Sequence, residues 1–335
     1  MRALRIAALA AAATAVLVFG TGTGASADTG ACGPASAGLV YGLDDTAVHE
    51  IYNLLLGDAQ VTADSAHITG SAELARAVAD GDVAKVYAAT HRIVYTPYWH
   101  IVRLRVLSAS GRVLADIGGP YILAPVRGAI TYQGAVVGSY VMSVQDDRGY
   151  KKLVQRIAGI PVELYLHSRP LMGTIAHPPP APPPAGPLRL GGVSYTVDAF
   201  TAAAFPTGTV RIAVFVPPPS AAQSAETCPQ LHLDTIAAFV AHIAAGLPLA
   251  GFSFQRNTSL FVNEAYPYAQ TPIFVLDGSQ LEAGTNGLSG APSDPPPALP
   301  RSGPVSYDGS DWLVDSFEPY PPDRIYVLGP ATLGP

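Results

Sequence analysis

HIVRLRVLSASG, residues 100–111, is where the chain changes its period. Val102, Leu104 and Val106 alternate with Arg103 and Arg105, the spacing of a strand with one apolar and one polar face. Ser108-Ala109-Ser110-Gly111 supplies a turn, and Arg112 to Ala115 a return strand. Upstream the spacing is helical. Ala47 to Leu56 places apolar residues at helical intervals, and Ser71 with Glu73 opens a helix over Ala72 to Asp80. Gly81 separates it from a second helix, Val83 to Thr90. Downstream, Tyr121 to Val126 and Arg127 to Tyr132 read as short strands, and Gln133-Gly134 turns into the β-branched and aromatic run Ala135 to Val144. A helix over Tyr150 to Ile157 ends at Gly159, before a further strand, Val162 to Leu166. Helices followed by an antiparallel sheet, with one helix interrupting it, make an α+β chain rather than a parallel doubly wound one.

Two proline-rich stretches punctuate the second half, His177 to Pro187 (HPPPAPPPAGP) and Ala291 to Pro304 (APSDPPPALPRSGP). Such runs take extended polyproline conformation. Each precedes a similar segment. Val193-Ser194-Tyr195, Asp198-Ala199-Phe200, Phe205-Pro206 and Arg211 to Val214 parallel Val305-Ser306-Tyr307, Asp315-Ser316-Phe317, Tyr320-Pro321 and Arg324 to Val327. Further back, Glu163 to Leu166 with Leu171 to Thr174 parallels Ile273 to Leu276 with Leu281 to Thr285. One structural unit therefore occurs twice, each copy carrying a proline-rich loop, the second with an insertion around Ser310-Asp311-Trp312. The divisions read as an export segment at 1–27, a first domain at 28–227 with its loop at 177–187, and a second, reduced repeat-like α+β region at 228–335 with its loop at 291–304.

The start of the chain reads as an address. Arg2 and Arg5 precede an apolar run from Ile6 to Phe19, and small residues lead to Ala25-Ser26-Ala27, the order of a cleavable secretory signal. Thr29-Gly30-Ala31-Cys32 loosely resembles a lipoprotein cleavage motif but lacks its leucine. Thr235 to Phe252 is the most apolar later stretch, yet His242 and Pro248 make it a half-buried helix rather than a membrane span. The expectation is a secreted, extracytoplasmic protein. In an oxidising compartment the two cysteines, Cys32 and Cys228, form a natural pair. From Cys228 onward there are three arginines, no lysine and ten acidic residues, which argues against nucleic acid as a partner.

Several stretches resemble the Cache family of extracytoplasmic sensor domains, which share a PAS-like sheet. They are Ser71-Ala72-Glu73-Leu74 through Gly81-Asp82 and Ala88-Ala89-Thr90, then residues 100–111, then GAVVGSYVMSVQDDRGY at 134–150. The likeness covers roughly Ala47 to Val216. It implies N-terminal helices against a PAS-like antiparallel sheet and a ligand-binding sensory role. Membrane-bound members continue into a transmembrane helix and an output module. This sequence reaches Pro335 with neither, so the resemblance implies a stand-alone binding protein or the partner of a separate membrane receptor.

Within that frame Tyr98, His100, Arg103, Arg105, Tyr121 and Asp146 are the candidate ligand-binding residues. Paired guanidiniums could hold a carboxylate or amino-acid ligand bidentately, with Tyr98 and His100 adding hydrogen bonds. The competing readings are a solvent-facing arginine pair, and a helix-capping role for Asp146. The histidines show no His-x-His or His-x-x-x-His spacing, and no metal or other cofactor is read from the sequence. Nucleophile elbows and phosphate-binding loops are missing too, so the expected function is non-enzymatic binding of a small molecule. The alternatives are an extracellular structural or interaction protein and, behind it, a hydrolase with an unrecognised site.

Overall fold

The computed structural model describes residues 30–246 apart from 58 and 98, 261–285 apart from 263, 264, 267, 268, 270, 278 and 279, and 299–333 apart from 308, 321 and 322. The expected export segment at 1–27, the candidate Tyr98 and residues 291–298 of the second proline-rich loop lie outside the described residues. The chain is α+β, with three antiparallel sheets and seven helices among the described residues.

Helix α1, Ala35–Gly57, is followed by α2, Ala59–Thr69, α3, Ala72–Ala79, and α4, Val83–Tyr95. Ser71 caps α3 by accepting from the Leu74 N–H, and Asp82 caps α4 through the Lys85 N–H. Next come β1, Arg103–Ser108, β2, Val113–Gly118, β3, Leu123–Tyr132, and β4, Ala135–Gln145, a sheet of order β2-β1-β4-β3. What reads as two short strands at 121–132 is one, because Arg127 sits mid-ladder opposite Val141. Gln133 and Gly134 both have positive φ, 51° and 81°, the backbone a two-residue hairpin turn needs. Leu104, Val106, Ile117, Ile130 and Met142 face α2 to α4 and close a core there.

Helix α5, Asp147–Ile157, leads into the second sheet, of order β6-β5-β9-β8-β7. Its strands are β5, Val162–Leu166, β6, Arg169–Gly173, β7, Gly186–Leu190, β8, Val193–Ala203, and β9, Thr209–Val216. After α6, Ala221–Ala225, and α7, Cys228–Gly246, the third sheet repeats that arrangement as β11-β10-β14-β13-β12. Its strands are β10, Ile273–Asp277, β11, Gln280–Gly284, β12, Gly303–Tyr307, β13, Ser310–Tyr320, and β14, Asp323–Pro330.

The duplication holds bond by bond. Val162 pairs with Val214 as Ile273 pairs with Val327, and Asp198 pairs with Val214 as Asp315 pairs with Val327. The Thr174 N–H bonds the Val162 carbonyl and the Thr285 N–H bonds that of Ile273, at 2.9 and 3.0 Å. Phe215 and Leu328 likewise donate to the carbonyls of Pro161 and Pro272. This register corrects the sequence alignment in three places. Val305-Ser306-Tyr307 forms β12 and occupies the place of β7, so its counterpart is Leu188-Arg189-Leu190 rather than Val193-Ser194-Tyr195. Ser310-Asp311-Trp312 is the counterpart of Val193-Ser194-Tyr195, not an insertion. Ile273 aligns with Val162, one residue before the expected Glu163. The second copy also has the full five strands.

The two copies share one core. Val162, Leu164, Val210, Ile212 and Val214 from one sheet, and Ile273, Val275, Ile325 and Val327 from the other, meet side chains of α1, α5 and α7. At one end Cys32 and Cys228 form a disulfide with Cα atoms 4.6 Å apart, across 196 residues of sequence. That bond assigns Cys32 to pairing, and it is the state an oxidising, extracytoplasmic compartment favours. Among the described residues no helix is long and apolar enough to cross a membrane.

Candidate functional site

The strand that changes the period of the sequence also carries the candidate site. With Leu104 and Val106 turned to the helices, Arg103 and Arg105 project from the opposite face of the first sheet. They do not end in open solvent. Asp116 on β2 lies directly across from Arg105, and its carboxylate takes hydrogen bonds from both guanidiniums. Arg103 approaches it with Nε and Nη2, each at 3.0 Å. Arg105 approaches it with Nε at 3.1 Å and Nη2 at 2.6 Å. Burial pushes the Asp116 carboxyl up, but the bonds from Arg103 and then Arg105 outweigh it and hold it below the usual carboxylate range. The two arginines therefore do clamp a carboxylate, and it is the protein's own.

Two glycines make this approach fit. Gly118 and Gly119 have φ of +91° and +71°, and a Cβ on Gly119 would come within 2.7 Å of Arg103 Cδ. From the other side, the turn between β8 and β9 closes over the pair. The Phe205 ring lies 4.4 Å from the Arg103 guanidinium carbon and 5.5 Å from that of Arg105, in cation–π geometry. The turn is anchored by the Phe205 N–H, which donates to the Ile122 carbonyl at 2.8 Å, and by Arg127, which donates to the Pro206 carbonyl.

Beside this cluster runs an open groove of about 440 Å³. Strand register sets its chemistry. Arg105 on β1 and Arg127 on β3 both pair with Val141 of β4, so the two arginines flank one valine in a single row, about 10 Å apart at the usual strand spacing. Leu107, Val136, Val141 and Pro206 give the groove apolar walls, and Ser139 and Thr207 give it hydroxyls. No acidic side chain is among its lining residues.

The other candidates are dispersed. His100 is exposed just before β1, and Tyr121 is half-buried in the connection from β2 to β3. Asp146 caps α5 by accepting from the Gly149 N–H, which accounts for it structurally. Its neighbour Asp147 is buried and accepts from the Ile122 N–H at 3.1 Å. Burial raises the Asp147 carboxyl, and the bonds from Ile122 and Leu123 oppose that rise. Asp116, Arg127 and the Phe205-Pro206 turn are the members that the sequence reading missed. Asp116 was within reach, one residue past the predicted return strand. Arg127 and Phe205 were not, since only the sheet register and the packing of a distant turn bring them in.

No family model matches the chain, and no curated protein matches it. Among solved structures, the chain aligns with the periplasmic domain of Vibrio cholerae LuxQ over 88% of this chain and 97% of that one. The identity is 11% and the TM-score 0.16, values too low to define a shared fold.

Proposed function

We propose that this protein is an extracytoplasmic, sensor-like binding protein with PAS-like sheets, which takes a small carboxylate in the groove between Arg105 and Arg127. The observation that carries this reading is the row Asp116, Arg105, Val141, Arg127. Three arginines stand on that face with one carboxylate between them, and the groove wall beyond it is apolar with no acid to repel an anion. A ligand carboxylate meets the free guanidinium edge of Arg127 and the outer edge of Arg105. Its apolar part lies on Val141, Leu107 and Val136, and an amino-acid ligand directs its ammonium group toward Ser139 or Thr207. Asp116 holds the guanidinium of Arg105 in place before ligand arrives, so ordering it costs little on binding. Binding without turnover is the proposed activity, with a separate membrane receptor as the partner that reads it out.

The test is a thermal-shift screen of short-chain carboxylates and amino acids against the wild type and Arg127→Ala. Stabilisation of the wild type by a subset of carboxylates, lost in Arg127→Ala, is the expected outcome. No shift with any of them, or an equal shift in both proteins, would contradict the reading.

A further inference from the structure

A second cluster of polar side chains lies away from the groove, where α1 crosses β8. Asp45 and His49 are one helical turn apart on α1, and Asp198 reaches them from β8. His49 Nε2 stands 3.6 Å from Asp45 Oδ1 and 3.5 Å from Asp198 Oδ2, and the three donor atoms all lie within 4.8 Å of one another. For ligands about 2.0–2.2 Å from a tetrahedral ion, neighbouring donors stand about 3.3–3.6 Å apart. Both distances from the imidazole meet that condition. The Phe200 ring, with its centroid 4.0 Å from that of His49, packs against the imidazole.

Two further observations favour a cation as ligand here. Asp45 Oδ1 is shielded from solvent, and its polar neighbours are the other two members of the cluster, His49 and Asp198. Among the described ion pairs, His49 is the only cationic group set against either carboxylate. Two carboxylates share a half-buried space with one histidine, while solvent still reaches the cluster, since the side chains are 26%, 37% and 25% exposed in the order Asp45, His49, Asp198. The duplicated unit supplies a contrast. Asp315, the counterpart of Asp198, also has an aspartate of a helix near it, Asp234. Four residues on, however, α7 has Ala238 where α1 has His49. The imidazole belongs to one copy only.

We propose that Asp45, His49 and Asp198 form a zinc site, with His49 Nε2 and one oxygen of each aspartate as ligands and water in the fourth position. The donor set decides the metal. One nitrogen and two carboxylate oxygens satisfy zinc, whereas calcium wants six to eight oxygens and magnesium keeps an octahedral oxygen shell. Bound there, the ion ties α1 to β8, the strand that leads into the Phe205-Pro206 turn over the arginine groove. The site is independent of the carboxylate-binding proposal and stands or falls separately.

The experiment is isothermal titration of zinc chloride into the untagged, disulfide-intact chain, with calcium and magnesium as comparison ions. Wild type takes up zinc at a saturable site that calcium and magnesium do not fill. His49→Ala and Asp198→Asn each weaken it by on the order of 100-fold, because loss even of groups that only support a ligand costs about 10- to 100-fold. His91→Ala, on α4, leaves it unchanged. Should either first variant misfold by circular dichroism, His49→Gln and Asp45→Asn replace it. No zinc uptake by wild type, or affinity unchanged in either ligand variant, overturns the proposal.

Discussion

Arg103 and Arg105 show what a single sequence makes visible at the scale of residues. Their alternation with Val102, Leu104 and Val106 is enough to place both on one face of a strand. That their charge is met by Asp116 depends on the register between β1 and β2, which no local pattern states. The same division applies to Asp45 and His49, whose spacing of four is legible, and to Asp198, which is 149 residues further on. Glu163 offers a test at this scale. Its side chain alternates with Val162 and Leu164, which face the shared core, and lies in space that a Cβ on Gly173 would fill, with one carboxylate oxygen lacking a hydrogen-bond partner. Burial pushes its carboxyl up to about 7 from 4.5, against weaker pulls from the Ile175 N–H and Lys151. The folded state therefore holds a proton that the unfolded state releases. Its contribution is fully present below about pH 4.5 and is lost as pH rises through about 7. Glu163→Gln should flatten that part of the stability profile and be more stable than wild type at pH 8, by about 1–2 kcal/mol in urea melts. Phe274 occupies the corresponding place in the second copy, where no such titration exists.

Among the elements, the duplicated five-stranded sheet was partly legible. Asp-x-Phe and Arg-Ile-x-Val recur in both copies because they hold the central strands of each sheet, where packing on two faces restricts the choice of residue. The edge strands misled. Val305-Ser306-Tyr307 looks like Val193-Ser194-Tyr195 yet forms a different strand, since alternating patterns report which face a residue takes and not which strand it belongs to. Thr174 and Thr285 are the sharpest mark of the repeat. Each hydroxyl accepts from the first residue of its sheet's inner strand, at 3.0 Å from the Val162 nitrogen and 3.4 Å from the Ile273 nitrogen. Thr174→Val should cost about 1 kcal/mol in a denaturant melt, and Thr285→Val less, because its bond is the longer one. Equal costs would count against that ranking.

For the whole molecule, the Cys32–Cys228 bond sets the frame. It lies where α1 and α7 begin, and the Cys32 N–H donates to the Glu226 carbonyl and the Gly33 N–H to that of Ser224, at 2.6 and 3.0 Å. The two helices leave that point together and carry their apolar faces between the sheets of both copies. Pairing was legible because only two cysteines exist; the shared core was not, because it joins segments more than a hundred residues apart. Replacing both cysteines by serine should lower stability by about 2–5 kcal/mol, read as a drop in the urea midpoint. The first sheet closes its own core against α2 to α4, joins the shared core through Leu123 at the start of β3, and meets the second sheet through the turn that covers its arginine face. The proposed ligand binds at that junction. Calorimetric titration of the best-stabilising carboxylate into wild type and Arg127→Ala tests it most directly. One saturable site in the wild type, weakened at least roughly tenfold without the arginine, is the predicted result, a charge-assisted bond being worth about 1.5–3 kcal/mol. Equal affinity in the two proteins, or heat that never saturates in the wild type, would contradict it.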